Sequence, residues 1–370
     1  VTDFVGPDYG HRSLGDVLPA VSRALGVDAG LPDPGLGLPE AGSYVVFLID
    51  GLGYELLRDH AEEAPFLSAQ LGDPATVGVP TTTATSLTSF GTGLVPGSHG
   101  VVGFTTRIPG TDDLLNALMW SSKVDPHEWQ PHPTAFARMA AAGVHTTVVN
   151  KRDFRTSGLT LAGSRGAEFV GADRVGERLA AVQAAAGRQP SLTYMYDGDL
   201  DWTGHRYGVA SAQWEQQLSM IDAAAEHLRD TLPPEVVVVV VADHGMVDSP
   251  PESRVDTDDE PSLLDGVSLL GGEARLRHVY CRSGAVDDVV ATWRGVLGER
   301  ADVLTRQEAI GLGWFGAVDP GVRPRLGDVV VAARGDHSVM SSTAFPYEAT
   351  LVGLHGSLTS AEMLIPLIVL

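Results

Sequence analysis

The sequence predicts an α/β protein with a largely parallel central sheet, helices on both faces and a smaller inserted subdomain. Three observations carry that prediction. Short apolar, β-rich runs alternate with stretches of helical periodicity, which requires crossover connections between parallel strands. Residues 236–241 are six consecutive valines, suited to a strand buried on both faces. Several runs lead into Asp or His beside Gly, and ligands of such sheets bind outside the carboxyl ends of the strands.

The elements follow in order. The first thirty or so residues, with Pro32, Pro34 and Pro39 beyond them, read as a helix and a loop leading into a strand at 44–49. A helix is expected at 53–60. The run from Pro80 to Gly93 reads as a hydroxyl-rich turn entering a helix that stops at Gly93. Helices at 135–142, 174–186 and 214–231 precede strands at 146–149, 191–196 and 236–242. Further strands are expected at 278–281, 328–333 and 364–370, with a helix at 286–298. The stretch 249–347 differs in texture. It opens with an acidic, Pro-containing loop and returns through a Gly- and Pro-punctuated run. It is expected to be a subdomain inserted in one catalytic domain spanning 1–370.

Lys+Arg 25 against Asp+Glu 47 gives a net charge of −22, which repels a nucleic-acid backbone or an anionic membrane. An acidic protein acting on an anionic substrate needs a local source of positive charge, and bound metal would supply it. A hydrophobic share of 44% with 19% charged residues describes a folded globular chain. No apolar run is long enough to span a membrane. The single cysteine, Cys281, is expected to be a small buried apolar residue. No basic stretch or apolar core of a signal peptide is visible, so a soluble protein is expected, cytoplasmic or secreted after removal of a leader. The compartment and the oligomeric state stay open.

Chemistry concentrates after the strands. Asp50 precedes Gly51, Asp243 and His244 precede Gly245, Asp201 and His205 sit four residues apart, and His355 precedes Gly356. Carboxylate oxygens and imidazole nitrogens together suit zinc and related divalent ions, and six such ligands could hold two of them. The threonines after Pro80 supply a nucleophile candidate, since a hydroxyl beside a metal becomes an alkoxide source at neutral pH. The Gly311-Leu312-Gly313 pattern follows a helical run instead of a strand and is discounted for dinucleotide binding. Remaining histidines, including His99 and His278, are expected at the surface or in loops, and Arg323-Pro324-Arg325 in a solvated turn.

In the order Asp50, Pro80-Thr81-Thr82-Thr83, Asp201-x-x-Gly204-His205, Asp243-His244-Gly245, His355-Gly356, the sequence resembles the alkaline phosphatase superfamily. Within it the chain is similar to the nucleotide pyrophosphatase/phosphodiesterase (type I phosphodiesterase) branch, and the resemblance runs from Tyr44 to Leu370. It implies an alkaline-phosphatase-like fold and two divalent metal ions, taken as Zn2+. One would be held by Asp201, His205 and His355, the other by Asp50, Asp243 and His244 with Thr83 beside it. Thr83 takes the nucleophile's place, with Thr82 the alternative if the alignment shifts by one. The activity implied is a metal-dependent phosphodiesterase or phosphohydrolase acting on a small phosphorylated substrate through a covalent phospho-threonine.

The same resemblance implies substrate contacts, with two departures. Tyr196 matches one of two aromatics that stack on a nucleobase, but Ala84 stands in place of the other. Phe104 stands where the branch has an Asn that binds a phosphate oxygen, so Thr105, Thr106 or a backbone N–H is expected to take over. These departures leave a phosphomonoesterase, a phosphonate hydrolase or a catalytically silent phospho-ligand-binding relative as alternatives.

Overall fold

The computed structural model describes residues 4–370. The elements that place the site are, in chain order, α1 (Val17–Ala24), β1 (Ser43–Ile49), α2 (Tyr54–Asp59), α3 (Thr83–Thr92), α4 (Ala135–Ala141), β2 (His145–Asn150), β3 (Glu168–Gly171), α5 (Val175–Ala186) and β4 (Ser191–Asp197). They continue with α6 (Asp199–Tyr207), α7 (Ala212–Thr231), β5 (Val236–Val241), β6 (Val267–Glu273), β7 (Leu276–Cys281), α8 (Val286–Leu297), β8 (Ala301–Thr305), β9 (Val329–Ala333) and β10 (Leu367–Val369).

The central sheet has six strands in the order β10–β5–β1–β4–β2–β3. Its strands run parallel except β10, which pairs antiparallel with β5. All seven residues of β1 are buried, and five of the six valines of β5, so each face must be covered. Burying a valine side chain is worth roughly 1.5–3 kcal/mol, and this stack forms the centre of the core. Register then fixes the site: Leu48 lies opposite both Tyr196 and Val241, so Asp50 and Asp243 leave neighbouring strands in step.

A second sheet, antiparallel and in the order β6–β7–β9–β8, packs with α8 over a separate apolar cluster around Val279, Trp293 and Val329. Just before its tight β6–β7 turn, Gly272 of β6 adopts φ +83, and an added Cβ there would meet the Leu276 carbonyl oxygen at 2.2 Å. This tight turn brings Glu273 and Arg275 toward the main sheet's carboxyl edge.

Several expectations are corrected. Asp201 and His205 follow β4 but lie on α6, not at a strand end. The run at 364–370 is divided by Pro366: Leu364–Ile365 pairs with Ala75–Thr76, and only Leu367–Val369 joins the central sheet. His99 and His278 are fully buried. His99 Nδ1 accepts the Val101 N–H at 3.2 Å and its Nε2 lies 2.8 Å from Ser89 Oγ. His278 Nε2 donates to the Val102 carbonyl at 2.7 Å. Arg325 stacks 3.8 Å from the Trp129 ring centroid and donates to the carbonyls of Gly100 and Trp129, so it is not a solvated turn residue. Among the described residues, no helix is long and apolar enough to cross a membrane.

Candidate active site

Two strand ends and one helix converge beyond the central sheet. Asp50 follows β1, and its backbone N–H is held by the Asp197 carbonyl at 2.9 Å. Gly51 adopts φ +76, and a Cβ there would sit 3.1 Å from the Asp201 Cα, so only glycine lets the two segments approach. The Gly51 N–H also donates to Asp243 Oδ1 at 3.1 Å. Asp243 and His244 follow β5 and are inaccessible to solvent. On α6, the i, i+4 spacing stacks His205 above Asp201, with Nε2 3.4 Å from Oδ2.

The histidines close the cluster. His355 Nε2 lies 3.2 Å from His205 Nε2 and 3.7 Å from Asp201 Oδ1. His244 Nε2 lies 3.4 Å from both Asp50 Oδ1 and Asp243 Oδ2. The rings of His244 and His355 stack with centroids 3.6 Å apart. Ligand atoms of Asp50, Asp243 and His244 fall within 4.8 Å of one another, as do those of Asp201, His244 and His355. His205 joins through its contacts to Asp201 and His355.

Protonation follows from backbone contacts. His205 Nδ1 meets the Gly353 carbonyl at 2.7 Å, His244 Nδ1 the Gly245 carbonyl at 3.0 Å, and His355 Nδ1 the Thr81 carbonyl at 2.8 Å. A carbonyl only accepts, so each imidazole carries its proton on Nδ1. The Nδ1 contact therefore leaves Nε2 of each ring as the atom turned toward the cluster. Burial holds His355 well below the usual histidine range, with His244 and His205 adding to the effect.

The carboxylates show the same need for a cation. Asp50 Oδ1, Asp201 Oδ1 and Asp243 Oδ2 are buried without hydrogen-bond partners. Burial, then the charges of Asp243 and Asp201, push Asp50 well above the usual carboxylate range, and burial also raises Asp243. Three imidazole lone pairs and three orphaned carboxylate oxygens form a donor set that fits divalent metal. Such ions would offset the repulsion that otherwise keeps protons on these acids.

Thr83 opens α3, following Thr82 in extended conformation. Its Oγ1 lies 3.2 Å from His244 Nε2 and 3.5 Å from Asp50 Oδ2. Thr82, the residue before the helix, is buried. Tyr196 donates its hydroxyl to Asp50 Oδ2. Burial and the Asp50 charge push its pKa well above the usual range, which keeps it a donor. The other substrate candidates stand elsewhere. Ala84 packs with Val101, Leu115 and Trp129, Thr105 donates to the Gly272 carbonyl at 2.7 Å, and the Phe104 N–H donates to Glu273 Oε2 at 3.1 Å. Of these candidates only Tyr196 lines the cavity beside Thr83.

Sequence reasoning missed Tyr194, Glu273 and Glu362. Tyr194 had a usable signal, since alternation along β4 places it on the same face as Tyr196. Glu273 and Glu362 had none, because they reach the site from the last residue of β6 and a four-residue helix near the C-terminus.

The family model described as type I phosphodiesterase / nucleotide pyrophosphatase matches residues 44–358. Among solved structures, murine ectonucleotide pyrophosphatase / phosphodiesterase 5, as an inactive form in complex with AMP, superposes with a TM-score of 0.67 at 17% identity, covering 89% of this chain and 87% of that one. The human counterpart gives a TM-score of 0.67 at 16% identity, covering 88% and 87%. At these identities the two structures show a shared fold. No curated protein matches the chain. The family match over most of its length, together with this metal-ready cluster, makes the chain a member of the type I phosphodiesterase / nucleotide pyrophosphatase family, a metal-dependent phosphodiesterase-type hydrolase.

Proposed function

We propose that this hydrolase cleaves a phosphodiester through a covalent phospho-threonine on Thr83 at a site for two zinc ions. The observation that carries the proposal is the Thr83 hydroxyl set beside His244 Nε2 and Asp50, within a cluster whose imidazoles all direct Nε2 inward. Asp201, His205 and His355 would hold one ion, and Asp50, Asp243 and His244 the other. When bound, the pair supplies Lewis-acid stabilisation of the attacking and leaving oxygens.

The chain's own residues do the rest. Helix α3 fixes the direction of the Thr83 hydroxyl, and its N-terminal dipole favours negative charge there. Thr83 Oγ1 forms a bond to phosphorus as the bond to the leaving oxygen breaks, and the hydroxyl proton passes to solvent. Water then splits the phospho-threonine, returning the hydroxyl and releasing a phosphomonoester. Tyr196 holds Asp50 in place through its hydroxyl. The inactive murine relative carries a threonine-to-alanine change, which supports a threonine in this role.

We read the chain as one catalytic domain with 249–347 inserted as a subdomain, a reading supported by the separate apolar cluster of the second sheet. The test is release of p-nitrophenolate from an aryl phosphodiester. Chelation should abolish it and zinc restore it, with two zinc ions per chain by elemental analysis. Turnover unaffected by chelation, or no metal retained after replenishment, contradicts the proposal.

A further inference from the structure

Helix α6 carries more than the candidate ligands Asp201 and His205. Its i, i+4 spacing sets Trp202 beside Arg206 as a second stripe, one residue further round the helix from the ligand stripe. This stripe faces outward: Trp202 is 55% exposed and the adjoining Tyr207 42%. The Arg206 guanidinium carbon lies 5.6 Å from the Trp202 ring centroid and 5.5 Å from that of Tyr207. The two rings stand edge to face with centroids 6.5 Å apart. Stacking of this kind holds a guanidinium in place without using its N–H donors.

The charge on Arg206 is unmatched. Its Nε donates to the Tyr207 hydroxyl at 3.1 Å, and among the described residues it has no ion pair and no other hydrogen bond. Another cation of the same region, the Lys151 ammonium, is engaged by Asp199 at 2.8 Å. Both Nη groups of Arg206 therefore stay available on a chain whose Asp+Glu 47 outnumber its Lys+Arg 25. The planar fork they form matches the two oxygens of a carboxylate.

We propose that Trp202 and Arg206 select the leaving group, and that this group is an aryl alcohol bearing a carboxylate, which Arg206 pairs while the ring lies along Trp202. The inference rests on Thr83 being the nucleophile. Thr83 Oγ1 stands 3.2 Å from His244 Nε2 and 3.5 Å from Asp50 Oδ2, so an in-line displacement sends the leaving oxygen the opposite way, toward Asp201, His205 and His355. Two of those three lie on α6, and the residue after each, Trp202 and Arg206, belongs to the exposed stripe. A leaving group that extends from there toward solvent runs along it. One unmatched cation balances a monoanion, whereas a phosphate end would set about two negative charges against a single guanidinium. Arg206 also offsets locally the repulsion that a net charge of −22 exerts on a substrate with a second negative group.

The test uses zinc-loaded protein and two methyl aryl phosphodiesters whose leaving phenols are 4-hydroxy-3-nitrobenzoate and its neutral methyl ester. Each kcat/KM is corrected for the acidity of the leaving phenol. The carboxylate substrate should exceed the neutral one by about fivefold or more. Arg206→Met removes the charge but keeps an apolar chain between the rings, and should bring that ratio near one. Trp202→Leu removes one face of the guanidinium stack and should lower the ratio about twofold or more. The ratio is taken within each variant, so a general loss of activity does not mimic the effect. Equal rates on the two substrates, or a preference that survives in either variant, overturn the inference while leaving the diesterase reading intact. If neither diester is cleaved, the catalytic reading fails. Calorimetry with 4-hydroxybenzoate and methyl 4-hydroxybenzoate then decides the stripe separately. Binding of the carboxylate about fivefold tighter, with the margin lost in Arg206→Met, supports it. Equal binding, or a margin kept in Arg206→Met, overturns it.

Discussion

Arg275 and Glu362 form a two-pronged ion pair with no solvent exposure, Nε to Oε1 at 3.0 Å and Nη2 to Oε2 at 2.6 Å. The pair joins the β6–β7 hairpin to both histidine-bearing loops. Glu362 Oε1 also accepts the Ser357 N–H at 2.9 Å, two residues past His355, and its backbone carbonyl accepts the Gly245 N–H at 2.9 Å, next to His244. Packing there is tight enough that a Cβ on Gly245 would meet the Ala361 carbonyl oxygen at 1.9 Å. Geometry at the cluster is therefore set in part by a residue that touches no ligand atom.

Removing one member of such a pair strands the other charge in the interior. Glu362→Ala should lower the unfolding free energy by roughly 3–5 kcal/mol in urea denaturation. Because the carboxylate holds the loop that carries His355, zinc affinity in the folded variant should also fall by about 10–100-fold in competition with a chelating dye. Unchanged affinity would confine the pair to a purely structural role.

Thr82 and Thr83 are adjacent, but only Thr83 faces the cluster. Thr83→Ala should lower kcat by about 10⁴-fold or more with metal content near normal. Thr82→Ala removes a buried hydroxyl one residue before the helix and should cost about tenfold or less. Steady-state kinetics on an aryl phosphodiester separate the two, and the reverse ranking would shift the nucleophile by one residue.

Stability should fall on mild acidification. Burial pushes His278 down to about 4 and His99 down to about 3, whereas both titrate near 6.5 once unfolded. The unfolded chain therefore binds more protons below about 6.5. The contribution of each neutral ring is complete above that pH and is lost progressively as pH falls toward about 4 for His278 and about 3 for His99. The slope should be about 1.4 kcal/mol per histidine per pH unit, read from urea midpoints at pH 6.5, 5.5 and 4.5. Imidazole proton shifts of both residues should stay flat down to pH 5, and titration near 6.5 would show that the rings are not held neutral.

How much of this was legible in the sequence depends on the kind of contact. Asp50 and Asp243 could be read because strand ends beside glycine have few roles and the valine run marks its strand plainly. Helix α6 could not, since Asp199–Tyr207 is mostly polar and has a glycine within it. It forms because Leu200, Thr203 and Gly204 pack inward, with Gly204 so close to Met246 that a Cβ would lie 2.5 Å from the sulfur. Strands β3, β6 and β8 lack an uninterrupted apolar run and take their conformation from pairing partners. The burial of His99 and His278 was equally hidden, because their satisfying partners lie on other segments or in local turns that composition does not reveal. The cavity beside Thr83 combines residues from several separate elements, and only the α3 spacing of Leu87 and Phe90 was available beforehand.

The covalent role of Thr83 is tested most directly by acid quench of zinc-loaded protein during turnover of an aryl phosphodiester, followed by proteolysis and mass spectrometry. The expected result is an alkyl or aryl phosphoryl adduct on Thr83 that appears within the first turnover and is missing in Thr83→Ala. Steady turnover with no adduct on any threonine, together with undiminished turnover by Thr83→Ala, would contradict it.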